Sequence, residues 1–184
     1  QIYHDNPDYT LLHFDMSDAF TNLPREDIVN NTPHACPTLT LLTNAWCTTA
    51  SATIWKDSTD TYHHFKTQRG TTQGCTMSAA IFAIALQPTL HKIRDAINQH
   101  LTHHNQLNGT SHRCHLHAYL DDMYLAIPTE YLTHALSTVE EEVTRAKLRL
   151  NAEKTEMSTT GTPHTDFSDR YTKTFTIMGS RPTE

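Results

Sequence analysis

The sequence predicts an α+β fold, and three observations support that class. Residues 9–14 (YTLLHF) form a short apolar, β-prone run that ends at Asp15, which indicates a strand. Residues 78–98 carry apolar side chains at helical spacing, which predicts the longest helix. Residues 114–127 place two adjacent acids between two apolar runs, which predicts a hairpin. Strands that mostly pair antiparallel and mix with helices in this way define the α+β class.

The segment between the first strand and the long helix carries weaker signals. Pro24 and the acidic residues that follow Arg25 predict a helix around 25–31, and residues 38–50 predict another. Residues 51–68 alternate loosely between apolar and polar, which predicts two strands around a polar turn.

The second half of the chain contains one clear helix signal and several weaker ones. Ser78 is a suitable N-cap for the long helix, and Pro88 should kink or divide it. We expect the polar residues 100–113 to form a loop. Residues 130–149 carry an apolar stripe and predict a helix, followed by a turn and short strand. A last strand pair is expected in residues 171–180.

Composition limits the classes of function. The 184 residues suffice for one domain, and no apolar run is long enough to span a bilayer, so no membrane partner is expected. The formal charge of −6 argues weakly against a free-standing nucleic-acid binder, because phosphate contacts need Lys and Arg. Four scattered cysteines without a CxxC pair favour free thiols.

Three acids suggest chemistry. Asp121 and Asp122 lie at the predicted hairpin tip, and Asp15 ends another apolar strand. Two such strands lying side by side would present these carboxylates together, as oxygen ligands for Mg²⁺. The alternative is that the two adjacent acids are only turn residues, because Asp tolerates turn geometry.

Five motifs in order resemble those of reverse transcriptases, over nearly the whole chain. FDMSDAF (residues 14–20) is similar to motif A, RGTTQGCTMS (69–78) to motif B, and YLDD (119–122) to motif C. NAEKTEM (151–157) resembles motif D, and FTIMGS (175–180) resembles the end of motif E. The helix after motif B and the segment LRLNAEKTE further resemble non-LTR, LINE-like retrotransposon enzymes, although Ala79 and Leu120 depart from the common pattern.

The resemblance implies a polymerase palm, with an antiparallel sheet packed on helices, plus part of the fingers. Residues 1–184 would then be a reverse transcriptase domain fragment, with the remaining fingers and the thumb elsewhere in a parent polypeptide. It implies two Mg²⁺ ions, replaceable by Mn²⁺, and as partners an RNA template, a DNA primer and dNTPs. It also implies nuclear action, and we expect the isolated fragment to polymerise weakly or not at all.

The same resemblance assigns roles to individual residues. Those implied to bind metal are Asp15, Asp121, Asp122 and the backbone carbonyl of Met16. Lys154 is the implied general acid for the leaving pyrophosphate. Those implied to contact nucleotide or primer are Met16, Asp18, Ala19, Phe20, Gln73, Gly74 and Tyr119. Arg69 is implied to contact template or phosphate.

Other interpretations remain open for several of these residues. Asp18 is also suited to cap a helix, Phe20 to pack in a core, and Tyr119 to be a buried strand residue. Arg69 and Lys154 are also suited to a solvated surface.

Other functions also remain open for the chain as a whole. An RNA-dependent RNA polymerase is disfavoured by Phe20, whose ring would clash with a 2′-hydroxyl. An inactive, reverse-transcriptase-derived domain that only binds RNA or protein is the main alternative, and a non-polymerase metal-binding module is more distant. A zinc site in residues 112–117 (HRCHLH) with His103 and His104 is disfavoured, because no second ligand pair stands at a fixed spacing.

Overall fold

The structure, a computed structural model, describes residues 6–71 and 75–172 and confirms the α+β class. The strands are β1 (Tyr9–Asp15), β2 (Ser51–Lys56), β3 (Tyr62–Thr67), β4 (His115–Tyr119), β5 (Asp122–Pro128) and β6 (Glu156–Thr159). The α-helices are α1 (Ala19–Asn22), α2 (Arg25–Ala35), α3 (Thr40–Cys47), α4 (Ser78–Asn108) and α5 (Leu132–Arg145). Short 3₁₀ helices cover Pro37–Leu39, Thr129–Tyr131, Ala152–Lys154 and Thr165–Arg170.

The chain forms two compact units. The sheet unit comprises the described residues of 1–17, 89–145 and 149–184, and the hairpin unit comprises those of 18–88 and 146–148. None of the described helices combines the length and apolar composition that crossing a bilayer requires.

The sheet unit is built on a four-stranded antiparallel sheet in the order β4-β5-β1-β6. Alternation along the strands sends one set of apolar side chains to a single face of this sheet. Its largest members are almost completely buried: Leu12, Phe14, Met123, Leu125, Ile127 and Met157. These side chains form the core of the unit.

Two helices of the sheet unit each bury a stripe of apolar side chains. In α4, Ile93, Ile97 and Leu101 recur every four residues and are at most 1% exposed. In α5, which contacts β5, four residues on one face are buried: Leu132, Ala135, Val139 and Val143. Burial of a full Leu or Ile side chain contributes about 1.5–3 kcal/mol, so these stripes account for most of the helices' stability.

The expected loop at residues 100–113 was wrong over its first nine positions. Helix α4 continues to Asn108, because Leu101 extends the buried stripe and His100 stacks on His134 with 3.8 Å between ring centroids. The helix ends at Gly109, whose φ of 67° is a left-handed value that favours glycine.

Three other expectations about helices and strands differ from the structure or lie partly outside the described residues. Pro88 does not divide α4. Helix α5 ends at Arg145 rather than near 149, and Lys147 just beyond has a left-handed φ of 58°. Of the expected last strand pair, Tyr171 forms an isolated parallel bridge with Met157. Residues 173–180 lie outside the described residues.

The hairpin unit contains α1, α2, α3, the β2–β3 pair and the first part of α4. The predicted β2–β3 hairpin is confirmed, with Ser51 opposite Thr67 and Lys56 opposite Tyr62. Its polar turn is closed by Asp57, whose Oδ1 accepts hydrogen bonds from the backbone N–H groups of Thr59 and Thr61. Both predicted helices upstream of it exist, although the first extends to Ala35 and the second ends at Cys47.

Candidate active site

Two of the predicted acids lie directly opposite each other in the sheet. Asp15 is the last residue of β1, Asp122 is the first residue of β5, and the antiparallel register pairs them. Partners in an antiparallel pair point to the same face, with Cβ atoms about 4.5–5.5 Å apart. The expected side-by-side pairing of these two acidic strand ends is therefore confirmed.

The third acid lies in the tight turn that joins β4 to β5. Tyr119 pairs with Asp122, so Leu120 and Asp121 are the two central residues of the hairpin loop. Leu120 has a φ of 58°, and Asp121 is not among the residues with positive φ, a pattern found in type II′ hairpin turns. A left-handed φ costs a non-glycine residue about 1–2 kcal/mol, so the turn that carries the acids is strained.

Each of the two facing carboxylates has a basic partner. His13 lies two residues before Asp15 on the same face of β1, and its Nε2 lies 2.8 Å from Asp122 Oδ1. The His13 ring stacks on Tyr124 with 4.7 Å between centroids, which fixes its orientation. Lys154 Nζ lies 3.4 Å from Asp15 Oδ2.

The turn that carries Lys154 is attached to the end of β1. The backbone N–H of Asn151 donates to the carbonyl of Asp15 at 2.8 Å, and the Asn151 side chain accepts from Glu153 N–H at the start of the 3₁₀ turn. The Lys154 side chain is 65% exposed, whereas the Asp15 side chain is 20% exposed. The ammonium group is therefore positioned at the mouth of the carboxylate pair and faces solvent.

Two further predicted residues adjoin the pair. Tyr119 is 56% exposed, so the buried-strand alternative was wrong, and its register places it on the same face as Asp122. Met16 is 2% exposed and forms a β-bridge with Leu150, which holds the backbone just after Asp15.

The predicted nucleotide-binding residues of motif A lie in the hairpin unit. Asp18 is exposed at the start of α1 with a φ of 48°, and its side chain makes no capping hydrogen bond, so the capping alternative was wrong. Ala19 is buried. Phe20 is half-buried and stacks on the fully buried Phe82, with 4.4 Å between centroids. One side of the Phe20 ring therefore packs in the core, and part of the ring stays accessible.

The second residue of motif B, Gly70, anchors the hairpin unit. Gly70 has a φ of 68°, and a Cβ atom there would lie 2.4 Å from the backbone oxygen of Phe20, so no other residue fits without movement. The N–H of Gly70 donates to Leu23 O, and the N–H of Thr71 donates to Phe20 O. Arg69, predicted to contact nucleic acid, is exposed next to this anchor. Gln73 and Gly74 lie outside the described residues.

Comparison with known families identifies the family of the chain. A family model described as reverse transcriptase (RNA-dependent DNA polymerase) matches residues 3–181. The chain belongs to the reverse transcriptase family. No curated protein sequence matches it.

Solved structures with a similar fold include two yeast telomerases. Telomerase from Candida albicans in complex with the TWJ fragment of telomeric RNA superposes with a TM-score of 0.60 at 14% identity, over 85% of this chain and 29% of that one. Apo telomerase from Candida tropicalis gives a TM-score of 0.62 at 11% identity, over 96% of this chain and 31% of that one. The reverse transcriptase chain thus spans about a third of these relatives' length, and at this identity the likeness concerns the fold.

The residues of this reverse transcriptase fit an open Mg²⁺ site better than a closed metal site. Within residues 6–71 and 75–172, no three His, Cys, Asp or Glu side chains are grouped closely enough to hold an ion by themselves. Mg²⁺ usually takes one or two carboxylates and completes its shell with water and substrate phosphates. Asp15 and Asp122 offer such a donor set, with side chains 20% and 38% exposed.

His13 and Gly70 were not predicted as site residues from the sequence. A signal existed for His13, because it lies two positions before Asp15 and therefore shares its face of the strand. No local signal existed for Gly70, whose requirement arises from the close approach of α1.

Proposed function

We propose that this chain is the catalytic core of an RNA-directed DNA polymerase from a non-LTR, LINE-like retrotransposon. The observation that supports the proposal most strongly is the cross-strand pair of Asp15 and Asp122. Like charges directly opposite each other destabilise a sheet, so this pair lowers the free energy of unfolding when no cation is bound. A role in binding divalent cations would explain why the sheet carries a destabilising pair.

The metal ligands of the proposal are Asp15, Asp122, Asp121 and the backbone carbonyl of Met16. Two Mg²⁺ ions held there, or Mn²⁺ in their place, would supply charge neutralisation on the triphosphate and activation of the primer 3′-hydroxyl. His13 would orient the Asp122 carboxylate through its 2.8 Å contact.

The proposed reaction is transfer of a nucleotide from dNTP to the primer. The 3′-hydroxyl of the primer would lose its proton to water as its oxygen bonds to the α-phosphorus, and the bond from that phosphorus to the bridging oxygen of pyrophosphate would break. Lys154 would donate a proton to the leaving pyrophosphate, and its exposed ammonium group beside Asp15 supports that assignment. Positioning of the reactants supplies most of the remaining rate enhancement.

The remaining residues would select and hold the substrates. The accessible part of the Phe20 ring would exclude a 2′-hydroxyl and so favour dNTPs, with Asp18 and Ala19 completing that side of the nucleotide pocket. Gln73 and Gly74 would contact the incoming nucleotide and template base. Tyr119, exposed on the face of the carboxylates, would lie near the primer end.

The partners of the proposal are an RNA template and a DNA primer. The likeness of fold to a telomerase solved in complex with a fragment of telomeric RNA supports an RNA partner. We further propose that the rest of the fingers and the thumb belong to the same parent polypeptide, that the enzyme acts in the nucleus, and that residues 1–184 alone polymerise weakly.

Primer extension by the parent polypeptide, with an RNA template, dNTPs and Mg²⁺, tests the proposal. We expect extension that Asp15→Asn and Asp122→Asn each reduce to background, while Asp95→Asn, an exposed acid on α4, leaves it unchanged. If extension is absent and Mn²⁺ does not bind either, the alternative of an inactive, reverse-transcriptase-derived RNA- or protein-binding domain replaces the proposal.

A further inference from the structure

The β2–β3 hairpin carries large rings on an exposed surface. Trp55, Tyr62 and Phe65 are 55%, 61% and 53% exposed, and Ile54 is 59% exposed. A two-stranded hairpin is marginally stable in water by itself, and rings exposed to this extent usually mark a binding surface. Within the described chain, both faces of this hairpin are largely uncovered.

One face of the hairpin forms a continuous row of rings. Trp55 pairs with His63 across the strands, and Phe65 lies two residues further along the same face. The ring centroids of Trp55 and His63 are 5.2 Å apart, and those of His63 and Phe65 are 6.5 Å apart. On the other face, Lys56 Nζ lies 5.5 Å from the centre of the Tyr62 ring. Such rings offer flat surfaces on which nucleic-acid bases stack without sequence preference.

A cationic groove lies at the base of the same hairpin. This open cavity of about 680 Å³ is lined by three cations, Arg25, Arg69 and Lys147, and by one acid, Glu26. Gln68 and Arg69 directly follow β3, so the groove continues from the hairpin. A locally positive groove is notable in a chain with a net charge of −6.

Each cation in the groove is held differently. The buried Arg25 donates to Gly70 O, Thr49 O and Ser51 Oγ, all neutral acceptors, and so ties the start of β2 to the groove. Lys147 contacts Glu26. Arg69 is exposed and has no ion-pair partner within residues 6–71 and 75–172. The groove therefore has positive charge left for a ligand.

The pKa of Glu26 is consistent with a positively charged groove. The pKa of the Glu26 carboxyl is lowered, chiefly by its hydrogen bond to Lys147 and to a smaller extent by the charge of Arg69. Lys147 keeps its side chain in the groove despite a left-handed φ of 58°, a conformation that glycine would adopt more easily.

We propose that the exposed rings of the hairpin and the groove at its base together bind single-stranded RNA. The rings of Trp55 and Phe65 stack on bases, and Arg69 and Lys147 contact phosphates. Stacking rings beside a positive groove are the usual combination for single strands. This inference rests on the proposed function. In the proposed polymerase, this surface binds the unpaired part of the RNA template.

The test is fluorescence anisotropy with a labelled 12-nucleotide single-stranded RNA in EDTA, so that metal binding and polymerisation have no influence. We expect Trp55→Ala to weaken binding by about 5- to 150-fold, since stacking on one ring is worth about 1–3 kcal/mol per base. Arg69→Gln should reduce the slope of log K against log salt by about 0.7, the value for one phosphate contact with a single strand.

Two further variants separate binding from folding and from net charge. Lys147→Gly relieves the left-handed strain, so we expect it to fold at least as well as the wild type and still bind RNA more weakly. Lys92→Gln removes an exposed cation from the sheet unit and should leave binding within about twofold.

RNA binding that is unchanged in Trp55→Ala and Arg69→Gln would overturn the inference, and a protein segment would become the better occupant of the hairpin. Loss of binding in these variants, together with a parent polypeptide that extends no primer, would support the RNA surface while rejecting the polymerase.

Discussion

Replacing Asp122 by Asn should stabilise the fold while removing a ligand of the proposed metal site. Asp122 faces Asp15 across two paired strands, and Asn keeps an oxygen that accepts the hydrogen bond of His13. The variant therefore removes one negative charge and leaves the local packing and hydrogen bonding in place. Active sites commonly trade stability for function in this way.

The size of the effect follows from the separation and exposure of the two carboxylates. Unit charges about 5 Å apart repel by about 1 kcal/mol in water-like surroundings and by about 3 kcal/mol at an effective dielectric constant of 20. Lys154 beside Asp15, His13 beside Asp122, and the 38% exposure of the Asp122 side chain reduce this repulsion through screening. We expect Asp122→Asn to raise the free energy of unfolding by about 0.5–1 kcal/mol without metal.

Urea denaturation of the chain with and without Mn²⁺ measures both effects. Mn²⁺ at a hundred times its Kd should stabilise the wild type by about 2.7 kcal/mol and stabilise Asp122→Asn far less. Asp95→Asn, which removes an exposed acid paired with Arg94, serves as the control and should keep the full Mn²⁺ effect. An Asp122→Asn variant that is destabilised by more than about 1 kcal/mol, yet gains as much from Mn²⁺ as the wild type, would show that Asp122 neither repels Asp15 nor binds the metal.

Three further predictions concern other residues. Leu120→Gly should raise the free energy of unfolding by about 0.5–1 kcal/mol in urea denaturation, because the relief of left-handed strain exceeds the added entropy of the unfolded chain. A lower free energy of unfolding would show that contacts of the leucine side chain stabilise the fold more than its backbone conformation destabilises it. Burial, followed by the charges of His134, His104 and His103, lowers the pKa of His100 in the folded protein, so the unfolded chain binds the proton more readily. Stability should therefore be full above about pH 6.5 and fall below it, and His100→Phe should flatten that fall in denaturation curves at pH 7.5 and 5.5 while the exposed His91→Phe should not. Phe20→Ala should cost about 1–2 kcal/mol through the lost stacking on Phe82 and should let primer extension by the parent polypeptide accept NTPs, whereas Phe20→Tyr should keep dNTP preference.

Much of the site could be predicted because its residues end regular elements. Asp15 closes an apolar strand and Asp122 opens another, so alternation and strand pairing place them together without knowledge of any distant contact. The β2–β3 turn was likewise predictable, because Asp57 bonds to residues two and four positions away.

What the sequence did not predict depends on tertiary contacts. Helix α4 continues through a polar, histidine-rich segment because His100 meets His134 of another helix, which no local pattern shows. The left-handed φ of Leu120 and Lys147 also lacked a signal, because neither residue is glycine or asparagine. The requirement for Gly70 comes from the backbone of Phe20, fifty positions earlier.

A crystal structure of the chain soaked in Mn²⁺ is the clearest test of the proposed metal site, since its outcome does not depend on whether the chain polymerises. We predict an anomalous peak for a metal bound by the carboxylates of Asp15 and Asp122 at about 2.0–2.3 Å, with Asp121 contributing from the turn beside them. Carboxylates of Asp15 and Asp122 more than about 8 Å apart with no ion between them would contradict the proposal, because two ions in such a site lie only about 3.5–4 Å apart. Asp121 and Asp122 would then be turn residues.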